Sequence, residues 1–154
     1  MSTVMLPPAK RPVAYPLSSG KICSPDRLYT HLRLQPYKLW VATYTYNPIV
    51  LDWFSPRITR LIYAVSNGVP PTYARQLSNN HSKIILGIND TRNKPVVVCA
   101  WLGSGNFVGP NVLYDFFISI PRDTLGDIAI VYNELWEMSV PLRGAQISST
   151  GPTI

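Results

Sequence analysis

Apolar positions fall in short, near-continuous runs, with one longer stretch at helical spacing. Lys38–Tyr46 (KLWVATYTY) and Ile58–Val65 (ITRLIYAV) are aromatic and β-branched, which suits strands. Between them, Asn47-Pro48 ends the first run and Ile49–Phe54 predicts about one helical turn before Ser55-Pro56. Ser82–Ile88 and Pro95–Leu102 are two further apolar runs on either side of the polar stretch Asn89–Lys94, the pattern of a hairpin with a polar tip. Tyr114–Ile120 (YDFFISI) predicts another strand, ended by Pro121. In Asp123–Met138 the apolar residues Leu125, Ile128, Ala129, Val131, Tyr132, Leu135 and Trp136 recur at helical spacing, so this stretch predicts an amphipathic helix packed on a sheet and stopped by Pro141. A shorter helix is expected to start at Ser24-Pro25-Asp26, with Ser24 as N-cap and Pro25 at the first helical position, and to run to about Leu34.

Strands apolar along their whole length are covered on both faces. The pattern therefore predicts an α/β fold, a mixed central β-sheet flanked by helices. Residues 1–24 read as a Pro-rich extended leader, 25–142 as a single domain, and 143–154 as a flexible Ser/Thr/Gly/Pro-rich tail. No internal repeat is visible, so a second copy of any site must come from a second chain.

Composition adds three constraints. The 154 residues are 46% apolar and only 14% charged, a balance that suits a globular chain with apolar surface to hide in an oligomer. No apolar run reaches the length of a membrane span, and Met1–Lys21 lacks the apolar core of a signal peptide. The expectation is a cytoplasmic protein without stable membrane insertion. The net charge of +6 favours a polyanionic partner, although Lys10, Arg11 and Lys21 place part of it in the leader. Cys23 and Cys99 have no metal-ligand spacing, and Cys99 reads as a buried free thiol. His31 has no partner in its predicted helix and defaults to a structural role. Neither a metal site nor a cofactor is expected.

The chemistry-bearing residues cluster around the predicted hairpin. Asn80-His81-Ser82-Lys83 enters its first strand, where residues two apart share a face. A histidine can act as nucleophile or acid/base, and a lysine beside it supplies positive charge. Phosphoryl transfer needs both, because negative charge spreads over the phosphorus oxygens in the transition state. The second strand runs into Gly103-Ser104-Gly105-Asn106, and pairing would bring that turn back beside His81 and Lys83. There the backbone amides of Gly103 and Gly105, the Ser104 hydroxyl and the Asn106 amide are candidate ligands for phosphate oxygens. Each piece has a plainer reading: a structural histidine at a strand edge, and an ordinary glycine-rich loop. Tyr73 and Arg75, in the loop before His81, are candidate substrate contacts. Tyr44, in a rim with Lys38, Trp40 and Tyr46, is a candidate platform for a nucleobase. Arg57, Arg60, Arg92 and Lys94 read equally as phosphate contacts and as solvated charges.

The stretch Asn80–Leu86 followed by Leu102–Phe107 resembles the phospholipase D superfamily, whose signature is His-x-Lys, usually with a following Asp, then Gly-Ser-x-Asn. The similarity extends through Asn111–Ile118 into the helix ending Leu135-Trp136-Glu137-Met138-Ser139, and more loosely to Leu39–Tyr46. The usual Asp, five positions after the lysine, is replaced here by Ile88, and the nearest acid is Asp90. The resemblance implies a phospholipase D-like α/β sandwich and metal-free phosphodiester cleavage in two steps. One histidine forms a phosphohistidine while a second protonates the leaving oxygen and later activates water. His81, Lys83, Ser104 and Asn106 carry the match, and Asp115 stands where many relatives place a Glu, with an expected bond to the His81 ring. One motif per chain requires a homodimer that joins two copies of His81. The basic charge favours a nucleic-acid substrate, as for a small endonuclease. A phospholipase or phosphatidyl transferase acting on lipid, and a catalytically inactive binding protein on the same fold, are the alternatives.

Overall fold

A computed structural model describes residues 20–91, 94–108 and 115–141. An eight-stranded mixed sheet forms its middle layer. In chain order the elements are β1 (Ile22–Cys23), α1 (Pro25–Leu34), β2 (Lys38–Ala42), α2 (Pro48–Phe54), β3 (Ile58–Tyr63), β4 (Ala74–Gln76), β5 (Ile84–Thr91), β6 (Lys94–Gly103), β7 (Phe117–Ser119), α3 (Leu125–Met138) and β8 (Val140–Pro141). The strand order is β1-β7-β6-β5-β2-β3-β4-β8. β2, β3 and β4 are parallel neighbours, and the remaining pairs are antiparallel. The expected α/β architecture with a mixed, helix-flanked sheet is present.

Alternation along the central strands divides the core in two. Leu39 and Val41 of β2, Leu61 and Tyr63 of β3, Ile85 of β5, and Cys99 and Trp101 of β6 face one way, against Leu28, Tyr29 and Leu32 of α1 and Val50, Leu51 and Phe54 of α2. Ala42, Ile62, Ile84, Leu86, Ile88 and Ala100 face the other way, against Ile128 and Tyr132 of α3. This is the period-2 pattern of a sheet covered on both faces. The Tyr132 ring is fully buried, and its hydroxyl donates to the Val41 carbonyl at 3.0 Å, so α3 is pinned to β2 by a bond as well as by packing. Ser24 caps α1 as expected, its hydroxyl accepting from the Arg27 amide, and Asn47 caps α2 through the Ile49 amide.

Several boundaries differ from the sequence reading. The first predicted strand stops at Ala42, because the amides of Tyr44 and Thr45 turn to a side chain instead of a neighbouring strand. The hairpin is longer than its apolar runs, and pairing continues to Thr91↔Lys94, so most of the polar tip is strand. Backbone pairing in a hairpin does not depend on apolar side chains. The two- and three-residue strands β1, β4 and β8 carry no pattern long enough to read. β1 draws Ile22 and Cys23 out of the expected leader into the sheet. Residues 1–19 of that leader, the tail from 142 onward, Arg92 and Asn111–Tyr114 lie outside the described residues. Among the described residues no helix is long and apolar enough to cross a membrane.

Two arginines read as possible phosphate contacts or solvated charges, Arg57 and Arg60, and a third read as a substrate contact, Arg75, are held within the fold. Arg57 donates to the carbonyls of Leu32, Gln35 and Tyr37, which closes the C-terminal end of α1. Arg60 lies between the Trp40 and Trp136 rings, at 4.0 and 4.6 Å from their centroids. Arg75 is described with the site below. His31 is buried and bonded to the Tyr37 hydroxyl at 2.9 Å.

Cys99 is buried and free, and burial pushes its thiol up from 9.0 to about 11. The folded state thus holds the thiol proton over a range where the unfolded chain releases it. The associated stability is complete below about pH 9 and lost as the pH rises towards 11. Denaturant midpoints should therefore fall over that interval, less steeply in Cys99→Ala than in the parent. At neutral pH, alkylation of Cys99 should be slow in the native protein and fast in denaturant; equal rates would show that the thiol is not buried.

Candidate active site

The antiparallel pairing of β5 with β6 decides the geometry. Ile84 opposes Leu102, and one residue beyond, the Gly103 amide donates to the Lys83 carbonyl at 3.2 Å. The run ending in Lys83 and the run starting at Gly103 therefore leave the sheet side by side at one end of the hairpin. Gly103 has no room for a side chain. A Cβ there would press on the Phe116 carbonyl oxygen and the Phe117 ring, because β6 and β7 pair at this residue.

From Gly103 the chain is tied down residue by residue. The Ser104 amide donates to the Phe116 carbonyl at 3.0 Å. Its hydroxyl accepts from the Phe116 amide and donates to the Asp115 carboxylate, both at 3.1 Å. Gly105 is buried, and a Cβ on it would lie 3.2–3.3 Å from the Asp115 side chain. Asn106 turns its Oδ1 to the amides of Tyr44 at 3.1 Å and Thr45 at 3.4 Å, and to the Thr43 hydroxyl at 3.3 Å. Backbone N–H groups only donate, so the oxygen of this side chain must face them and the NH₂ group must face the other way. Asn106 is thereby an oriented donor, with the polarity a phosphate oxygen needs.

The His81 side of the site is tied to the same place. Thr43 is 1% exposed, and its carbonyl accepts from the Asn80 side-chain amide at 3.0 Å. Asn80, itself buried, also donates to the Ser82 carbonyl at 3.3 Å and accepts from the Ser82 amide at 3.2 Å, a tight local turn that brackets His81. The Thr43 hydroxyl accepts from the Phe107 amide at 3.0 Å and donates to the Thr45 carbonyl at 2.6 Å. One buried threonine at the end of β2 is thus in contact with both runs. His81 is exposed, and its ring stacks on Tyr44 with centroids 4.9 Å apart and planes 15° from parallel. Lys83 is half-buried. Among the described residues the sole ion pair is Lys38–Asp90, so no carboxylate neutralises Lys83.

Several expectations need correction. The Gly103 amide, expected to face a phosphate oxygen, donates to the Lys83 carbonyl, and the Ser104 hydroxyl, expected there too, is bonded to Asp115 and the Phe116 amide. The Asp115 carboxylate bonds to Ser104, and among the described residues the contact made by the His81 ring is with Tyr44. Arg75 lies on β4 with its guanidinium turned to α3: it donates to the Ser139 hydroxyl and carbonyl at 2.9 and 2.7 Å, and it covers the Trp136 ring. It closes the end of that helix and is not free to contact substrate. Tyr73 packs against the α1/α2 side of the core, and its hydroxyl is held protonated first by burial and then by the nearby Asp52 carboxylate. Of the expected aromatic rim, Tyr44 alone stands at the site. Trp40 bonds to Thr59 beside Arg60, Tyr46 is buried, and Lys38 pairs with Asp90.

Sequence reasoning assigned no role to Thr43 or Asn80. Asn80-x-Ser82 has the spacing of an asparagine turn, so a local signal for it existed. Thr43 had none, being one polar residue in an apolar strand. Ile88, at the position where an Asp was sought, is 1% exposed in the α3 side of the core, where an unpaired carboxylate would be costly.

Among solved structures the fold matches that of a phospholipase D family member, and the architecture is accordingly a phospholipase D-type fold. The matched structure is Nuc from Salmonella typhimurium, with a TM-score of 0.56 and 13% sequence identity over 82% of this chain and 99% of that one. No protein-family model matches the chain, and no curated protein does.

Two substitutions test this construction. Asn80→Ala leaves the Thr43 carbonyl and the Ser82 amide without their partner and should cost about 1–3 kcal/mol in chemical denaturation. Gly103→Ala forces β6 and β7 apart and should cost about 1–3 kcal/mol as overpacking. Unchanged denaturation midpoints for both would mean the two runs are not locked together as described.

Proposed function

We propose that this protein is a phosphodiesterase acting on nucleic acid, with an active site completed by a second copy of the chain. The observation that carries the reading is the bond between the Gly103 amide and the Lys83 carbonyl. It sets a histidine, an unneutralised lysine and an oriented asparagine amide at one end of a hairpin in a phospholipase D-type fold.

In the first step an imidazole nitrogen of His81 attacks phosphorus. A P–N bond forms and the P–O bond to the leaving group breaks, while His81 of the second copy gives its proton to the departing oxygen. In the second step that same partner histidine takes a proton from water. The water oxygen bonds to phosphorus, the P–N bond breaks, and His81 is restored with overall retention at phosphorus. Lys83 and the Asn106 Nδ2 group hold the non-bridging oxygens and stabilise their charge in each transition state. Ser104 and Asp115 fix the turn that carries Asn106. The net charge of +6 favours a nucleic-acid chain over a neutral lipid surface. One specific observation favours a non-catalytic role instead: Ile88 is buried where an Asp was sought, which removes one polar group from the neighbourhood.

Single- and double-stranded DNA and RNA should be cleaved in the presence of a chelator. His81→Ala should abolish cleavage, and Lys83→Met should lower it by about 10²–10³-fold. The protein should sediment as a dimer under the assay conditions. Activity lost in chelator would refute the metal-free mechanism, and activity retained in His81→Ala would remove the site assignment. Hydrolysis of phosphatidylcholine vesicles without nuclease activity would move the substrate class to lipid.

A further inference from the structure

Tyr44 stands beside the proposed nucleophile in a way that goes beyond contact with substrate. Its ring is parallel to the His81 ring within 15° at 4.9 Å, and its backbone amide is held by the Asn106 Oδ1 at 3.1 Å. The loop carrying it is secured on both sides, by the Thr43 hydroxyl to the Phe107 amide and by the Asn80 side chain to the Thr43 carbonyl. The carboxylate expected to orient His81, Asp115, is bonded to Ser104. Among the described residues no hydrogen bond orients the exposed His81 ring. An imidazole in that position rotates about two side-chain bonds, and every rotamer that turns its nitrogen from phosphorus is unproductive.

We infer that Tyr44 is a positioning residue for His81: its ring face restricts the imidazole to one plane, the part assigned above to a carboxylate. The inference rests on the proposed role of His81 only for its catalytic consequence, since the stack itself is independent of activity. It also links the two runs. Asn106 acts on phosphate through Nδ2, and through Oδ1 it holds the residue that aligns the nucleophile.

The full chain contains two histidines, so imidazole resonances assign cleanly once His81→Ala removes one set. In the wild type the His81 ring protons should be shifted upfield by the tyrosine ring current. The shift should vanish in Tyr44→Ala and persist in Tyr44→Phe, which keeps the ring face. On a nucleic-acid substrate, Tyr44→Ala should lose about 10²-fold in kcat with little change in KM, as expected for a misplaced reacting group, and Tyr44→Phe should recover most of it. His81 resonances indifferent to Tyr44→Ala would overturn the inference, whatever the enzyme's activity. A loss confined to KM would overturn it in favour of a substrate-stacking role. Ring-current shifts as expected in a protein with no nuclease activity would uphold the stack and defeat the proposed function.

Discussion

The end of β2 is where this fold meets its chemistry, and one buried threonine secures it. Thr43 spends its carbonyl on Asn80 and its hydroxyl on Thr45 and the Phe107 amide, while its own amide bonds to the Ile62 carbonyl of β3. Buried polar groups are costly unless paired, so these bonds are obligatory consequences of ending a core strand inside the molecule. They hold together three segments far apart in sequence: the loop after β2, the turn before β5 and the turn after β6. A site built on such a network inherits its rigidity, because no member can move without orphaning another.

The two motif runs differ in how they are used. In Gly103–Asn106 both polar side chains have structural partners: Ser104 bonds to Asp115 and Phe116, and the Asn106 side-chain oxygen accepts from Tyr44 and Thr45. The Asn106 NH₂ group is a donor whose direction those bonds dictate. His81 and Lys83 are less committed. The histidine is exposed against one ring face, and among the described residues the lysine has no acid paired with it. Fixed donors on one side and unspent charge on the other suit an anionic group of tetrahedral shape.

The interior of the fold absorbed residues that looked available for binding. Arg57, Arg60 and Arg75 satisfy helix-end carbonyls or cover tryptophan rings. Such roles use the planar guanidinium and its several donors, and sequence alone does not separate them from phosphate contacts. Ile88 shows the converse. A position where an acid was sought packs on the α3 side of the core, so hydrophobic burial replaces a polar contact there.

Much of the architecture was legible from local pattern. The hairpin, the β3 run, the amphipathic α3 and the capped start of α1 all follow from periodicity, β-branched content and cap residues, which act over a few neighbouring positions. The adjacency of His81-Ser82-Lys83 to Gly103-Ser104-Gly105-Asn106 was legible too, since a hairpin register folds one strand end onto the other. Tertiary contacts alone decided the rest. The short strands β1, β4 and β8 exist because a neighbour's edge offers unpaired amides. Asp115 turned to Ser104 because the serine hydroxyl lay within reach. Tyr44 met His81 because Asn106 gathered the amides after β2 into its own carbonyl. A side chain's partners are set by whatever polar groups the packed chain brings near it. For residues separated by tens of positions, that information does not reside in any local stretch of sequence.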